Sequence, residues 1–95
     1  MTRQEINKAI VNYLQPYNPE KIGIFGSVAR NEETSESDID ILIRFGKVPS
    51  LFEFVRMEND LSEILGRKVD LVSEGALKNK RLKAYILRDL KVIFG

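Results

Sequence analysis

Two aspartates one residue apart, Asp38 and Asp40, stand in the stretch IFGSVARNEETSESDIDILIRF, residues 24–45. In an extended chain residues i and i+2 point to the same side, so their carboxylates stand together. Like charges that close raise each other's pKa and cost stability unless a cation joins them. Magnesium, a hard ion that wants oxygen ligands and keeps company with phosphate, is the natural guest. A third acid, Asp70, lies in KVDLV, opposed to Val69 and Leu71. If its strand neighbours the first, three carboxylates converge on one patch.

Upstream of the acids, Gly26 follows an apolar run and Ser27 follows the glycine. Glycine lets the chain reverse tightly and lets a ligand approach the backbone. Ser27 suits a helix N-cap, with Val28 to Arg30 as a brief first turn. The free amides of such a turn form an anion-binding helix start, so a triphosphate held there would lie beside the aspartates. Two metals on Asp38 and Asp40 would clamp the attacking and leaving oxygens of an in-line displacement. Asp70, at the metal nearer the nucleophile, is placed to help deprotonate an acceptor hydroxyl.

Each feature alone has a plainer explanation. Asp-x-Asp is commonly a solvated strand edge, Gly-Ser a capped turn, Asp70 a surface acid and Arg30 a salt-bridging arginine. Lys78, Lys80, Arg81, Lys83 and Arg88 read most simply as the wet face of the last helix. The conjunction favours a site, because turn, polar loop, paired acids and third acid follow in the order one site needs.

The elements that must position these residues follow from periodicity and caps. Thr2 to Glu5 has capping-box spacing, and Ile6, Ala9, Ile10, Tyr13 and Leu14 recur at helical spacing, which predicts a helix over 3–15. Pro16 and Pro19 end it. A short strand over 21–25 leads into the Gly-Ser turn, and the polar residues 31–37 read as a loop. Strict alternation from Asp38 predicts a strand with Ile39, Ile41 and Ile43 on one face. A second capping box, Ser50 to Glu53, opens a helix carrying Leu51, Phe54, Val55, Leu61, Ile64 and Leu65 as far as Gly66. A strand over 68–72, a helix over 76–88 with Leu77, Leu82, Tyr85 and Ile86, and a strand over 91–94 complete the order αβαβαβαβ. The expected fold is α/β (α+β), a mixed sheet backed by helices, with residues 1–95 forming a single domain.

Composition narrows the chemistry further. The chain is 43% hydrophobic and 31% charged with a net charge of +1, so nothing global calls for nucleic acid or an anionic membrane. No apolar run approaches the ~20 residues of a membrane span, and residues 1–20 lack a signal-peptide core. There is no cysteine and no histidine. Disulfides, thiol nucleophiles, Ser-His-Asp machinery and the usual zinc sites are thereby excluded, and a cytoplasmic address is the default.

At Gly26-Ser27-Val28-Ala29-Arg30, Ser37-Asp38-Ile39-Asp40 and Val69-Asp70-Leu71-Val72 the sequence resembles the DNA polymerase beta-like nucleotidyltransferases, and within them the minimal nucleotidyltransferase (MNT) proteins. The resemblance covers essentially the whole chain. It implies a single nucleotidyltransferase domain that moves a nucleoside monophosphate, usually AMP from ATP, to an acceptor with two magnesium ions. By matching position, Gly26 and Ser27 would hold the triphosphate, and Arg30 would either contact phosphate or only brace the turn. Asp38 and Asp40 would bind both metals, and Asp70 would complete the metal site beside the acceptor. Asn31 departs from the pattern, standing where many relatives carry glycine.

Minimal members that this chain resembles typically act as antitoxins of a small helical HEPN-type RNase toxin, some by transferring AMP to it. The resemblance therefore implies ATP and such a toxin as partners, with no membrane and no direct nucleic-acid binding; a homo-oligomer is compatible with it. Two rival classes stand beside this reading: an interaction module that neutralises its partner by contact alone, and a small-molecule, antibiotic-type adenylyltransferase.

Overall fold

Alternation over IDILIRF builds the strand around which the rest is laid, with Ile39, Ile41 and Ile43 fully buried on one face. In the computed structural model, which describes residues 1–32, 34 and 37–95, this strand, β2 (Ile39–Phe45), has a neighbour on either side. They are β1 (Pro19–Phe25), antiparallel to it, and β3 (Val69–Ser73), parallel to it. β4 (Lys91–Phe94) pairs antiparallel with β1 and completes a mixed sheet of order β3-β2-β1-β4. The helices are α1 (Arg3–Leu14), α2 (Gly26–Ala29), α3 (Leu51–Leu65) and α4 (Lys80–Asp89). Short 3-10 turns at Gln15–Tyr17 and Glu74–Ala76 join them to the strands. The order αβαβαβαβ and the mixed sheet are those expected. The polar loop expected over 31–37 lies partly outside the described residues, which omit Glu33, Ser35 and Glu36.

Both capping boxes form: Thr2 with Glu5 opens α1, and Ser50 with Glu53 opens α3. Gly66 ends α3 in the left-handed conformation that glycine adopts without penalty. α1 and α3 pack on one face of the sheet, where Ile6, Ile10, Leu14, Met57, Leu61 and Leu65 form one cluster with the strand isoleucines. The inward stripe of α3 differs from the expected one. Leu51, Val55 and Ile64 are exposed and Met57 is fully buried, because the stripe that faces the sheet runs through 54, 57, 61 and 65.

The opposite face carries Asp40, Leu42 and Arg44 of β2, Gly23 and Phe25 of β1, and Asp70 and Val72 of β3. α4 covers part of it. A side chain at Gly23 would collide with Leu90 just beyond α4, so glycine is needed there for the helix to approach. Leu42 and Ile86 are buried in this layer, while Leu82 and Tyr85 stay about half exposed. α4 is also shorter than the 76–88 expected, since Asn79 caps it by accepting a hydrogen bond from the Leu82 amide.

β3 is an edge strand whose outward amides are covered by side chains of α3. Val69 N–H donates to Ser62 Oγ (3.0 Å) and Leu71 N–H to Glu58 Oε2 (2.9 Å). This blunts an edge that would otherwise template pairing with another chain, and it fixes the height of β3 beside β2. At the end of the face remote from Asp40, Glu74 is buried between Lys21 Nζ (3.0 Å) and Arg44 Nε (2.7 Å). No helix among the described residues is long and apolar enough to cross a membrane.

Candidate active site

The register places the acids. Phe25 pairs with Asp40 across β1 and β2, and Asp40 pairs with Asp70 across β2 and β3. Asp40 and Asp70 therefore share a face on adjacent strands, and Asp38 stands two residues upstream of Asp40 at the entrance to β2. The condition drawn from the sequence, that the strand of Asp70 neighbours that of Asp40, is met.

The Asp40 carboxyl is pushed up to about 6. Burial is the largest cause, followed by the charges of Asp70 and Asp38 and a hydrogen bond shared with Asp70. The cation of Arg30 works in the other direction. Asp38 is more open, and Lys68 Nζ lies 3.9 Å from its Oδ2. Arg67, which sequence reasoning did not single out, holds the approach to Asp38 by donating to the Ser37 carbonyl (2.8 and 3.1 Å) and the Thr34 carbonyl (3.2 Å).

Gly26 sits against the acids with φ +75°, in the region that favours glycine. Any Cβ there would overlap Asp40 Oδ2, so the absent side chain makes the space that the carboxylate occupies. α2 starts at Gly26 itself, with Phe25 in the N-cap position and no side chain capping it. Ser27 is therefore not the cap that its position after glycine suggested. Its hydroxyl makes no hydrogen bond among the described residues, and the first amides of the turn have no intrahelical partner. Asn31 adopts φ +59°, a left-handed conformation that asparagine tolerates better than most residues other than glycine.

Arg30 makes the ion pairs that its plainer, salt-bridging reading expects. Its Nη1 donates to Asp89 Oδ2 (2.9 Å) at the end of α4, and its Nε to Glu32 Oε2 (3.2 Å). It ties the glycine turn to α4. Nothing in the spacing of the sequence links residues 30 and 89, so this contact was not legible there.

A cleft of about 380 Å³ opens beside Asp40 and Asp70, walled by Phe25, Val72, Leu82 and Tyr85 among others. An oxygen-rich set of three carboxylates beside a glycine cradle fits a hard divalent ion by donor chemistry. Among the described residues no three acids are drawn together as tightly as a bound ion would hold them. That spread is expected of carboxylates that repel one another.

The Polymerase beta, Nucleotidyltransferase family matches residues 8–95. The chain belongs to the polymerase beta nucleotidyltransferase family. A candidate protein adenylyltransferase of Methanocaldococcus jannaschii is 50% identical over 76 residues, covering 80% of this chain and 78% of its own length. The protein adenylyltransferase MntA of Thermococcus cleftensis is 43% identical over 70 residues, 74% of this chain and 70% of its own. The nucleotidyltransferase fold recurs in the complex of a tri-AMPylated HEPN toxin with an MNT antitoxin from Shewanella oneidensis. That match has a TM-score of 0.82 at 21% identity and covers 99% of this chain and 73% of the matched one.

Proposed function

We propose that this nucleotidyltransferase moves AMP from ATP to a hydroxyl of a partner protein, with magnesium, and that the partner is a HEPN-type toxin neutralised by the modification. The observation that carries the reading is the register pairing of Asp40 with Asp70 beside Gly26. It sets two carboxylates beside a backbone cradle, with Asp38 two residues upstream, a donor set suited to phosphoryl transfer without histidine or cysteine. The protein acceptor rests on the relatives named protein adenylyltransferase, and the toxin on the fold shared with the MNT antitoxin.

In this reading residues 1–95 work as one nucleotidyltransferase domain in the cytoplasm. Gly26 and Ser27 receive the triphosphate through the free amides of the turn and the unengaged hydroxyl. Asp38 and Asp40 hold magnesium, and Asp70 completes the site on the acceptor side. Arg30 lends its charge to the phosphates from its brace on Asp89. Magnesium, when bound, supplies Lewis-acid stabilisation of the phosphate oxygens. Asp70 accepts the proton of the acceptor hydroxyl as its oxygen bonds to the α-phosphorus and pyrophosphate leaves. Positioning the acceptor oxygen within ~3–3.5 Å of the phosphorus supplies much of the rate. The test is transfer of label from α-labelled ATP to a HEPN-type partner. Transfer should require magnesium and vanish in Asp38→Asn/Asp40→Asn; label that persists in that variant refutes the assignment.

A further inference from the structure

α4 carries its charge at the wrong end. Lys80 and Arg81 are its first two residues and Lys83 its fourth, with Lys78 just before the Asn79 cap and no acid in the first turn. Cations at a helix N-terminus oppose the macrodipole and destabilise the helix. Among the described residues none of these four has an acid within ion-pair distance. Segment 78–91 holds six basic residues and one acid, Asp89, which Arg30 engages, in a chain whose net charge is only +1. Stability alone does not account for this arrangement.

The apolar side of the same helix is equally unspent. Leu82 and Tyr85, 49% and 52% exposed, wall the cleft that contains Asp40 and Asp70. A basic strip and an apolar wall thus meet on one helix at the mouth of the carboxylate site. We propose that α4 is the acceptor-docking surface, and that it takes an acidic polypeptide segment. The acids of the segment lie along Lys78, Lys80, Arg81 and Lys83, and its hydroxyl-bearing side chain enters between Leu82, Tyr85 and Asp70. Charge complementarity selects the segment and apolar contact seats the side chain. A nucleic-acid strand fits less well, because single strands are held by successive exposed aromatics. Here Tyr85 is the one aromatic on α4, and the Arg88 guanidinium lies over its ring, 5.3 Å from the centroid. This inference rests on the proposed transfer reaction for the side on which Asp70 acts.

The probe is a fluorescent random copolymer of glutamate and tyrosine, titrated with the full chain at low ionic strength. Lys80→Glu/Arg81→Glu should weaken binding about tenfold or more and leave ATP affinity unchanged. It should also raise the Tm, because glutamate suits a helix N-terminus. A control with the same charge change away from α4, Lys8→Glu/Lys47→Glu, should change binding less than about twofold. Tyr85→Ala should weaken binding without altering its salt dependence. Absent copolymer binding, equal loss in the control pair, or displacement of the copolymer by poly-uridine RNA at lower concentration overturns the proposal. Docking that survives while no label moves from ATP to any hydroxyl refutes the transfer reaction instead, so the two failures are read on different measurements.

Discussion

Asp40 and Asp70 are register partners on neighbouring parallel strands, and their proximity helps hold the Asp40 carboxyl at about 6. The ordinary value is 3.8, so between these values the folded state binds a proton that the unfolded chain has released. Asp40 therefore contributes stability that is full below pH 4 and is lost as pH rises through about 6. Asp40→Asn should raise the Tm of the metal-free protein at pH 7.5, and the difference should close towards pH 4. Magnesium should raise the Tm of the unaltered chain at pH 7.5 but not that of Asp40→Asn. Thermal melts across pH, with and without the ion, check both.

Gly26 and Ser27 should separate folding from binding. Gly26→Ala places a β-carbon where Asp40 Oδ2 lies and forces a left-handed φ, which alone costs roughly 1–2 kcal/mol. Lower stability and loss of nucleotide binding should appear together. Ser27→Ala removes a hydroxyl that caps nothing, so denaturant melts should superimpose on those of the unaltered chain while ATP affinity falls. A stability loss of about 1 kcal/mol, the usual cost of a lost cap, would show that the serine caps the turn after all.

Arg30 and Asp89 form an ion pair between the turn and α4. Arg30→Ala removes both the brace and the charge, so it and the double variant should raise the Kd for ATP alike, and Asp89→Ala, which removes the brace alone, should raise it less. A defect confined to Arg30→Ala would mean that the guanidinium leaves Asp89 to contact phosphate directly. Calorimetric titration of the three variants separates these outcomes.

Much of this was legible in the sequence because it is local. Capping boxes, the alternation of Ile39, Ile41 and Ile43, and the side-by-side placement of Asp38 and Asp40 all arise within a few residues. What was not legible depends on register or on distant packing. The partnership of Asp40 with Asp70 needed the parallel pairing of β2 and β3, which the sequence could state only as a condition. The hold of Arg67 on the loop before Asp38 and the Arg30–Asp89 contact join elements far apart in the chain. The N-cap expected at Ser27 was displaced because the helical hydrogen bonding starts one residue earlier, with the Gly26 carbonyl accepting from the Arg30 amide. Leu82 and Tyr85 had the spacing of a buried stripe, yet beside the buried Ile86 they stay half exposed, because they wall the open cleft over Asp40 and Asp70.

Glu74 should matter to stability and not to transfer. Burial pushes its carboxyl up, but hydrogen bonds from Arg44 and Lys21 outweigh this and hold it below the ordinary value. The group thus stabilises the fold at neutral pH, and the contribution is lost as pH falls through its lowered pKa. Glu74→Ala leaves Lys21 largely buried without its partner and should cost about 2–3 kcal/mol in urea melts, below the usual range for a buried pair because Arg44 is half exposed. Nucleotide affinity should be unchanged.

The most direct measurement of the central claim is the intact mass of a HEPN-type partner after incubation with this chain, ATP and magnesium. The prediction is an AMP-sized increment on the partner, absent without magnesium and absent with Asp38→Asn/Asp40→Asn. Asp70→Asn should suppress the increment more than it weakens ATP binding, because its role lies on the acceptor side. A tight complex whose partner keeps its unmodified mass at every magnesium concentration would contradict the transfer and leave neutralisation by contact.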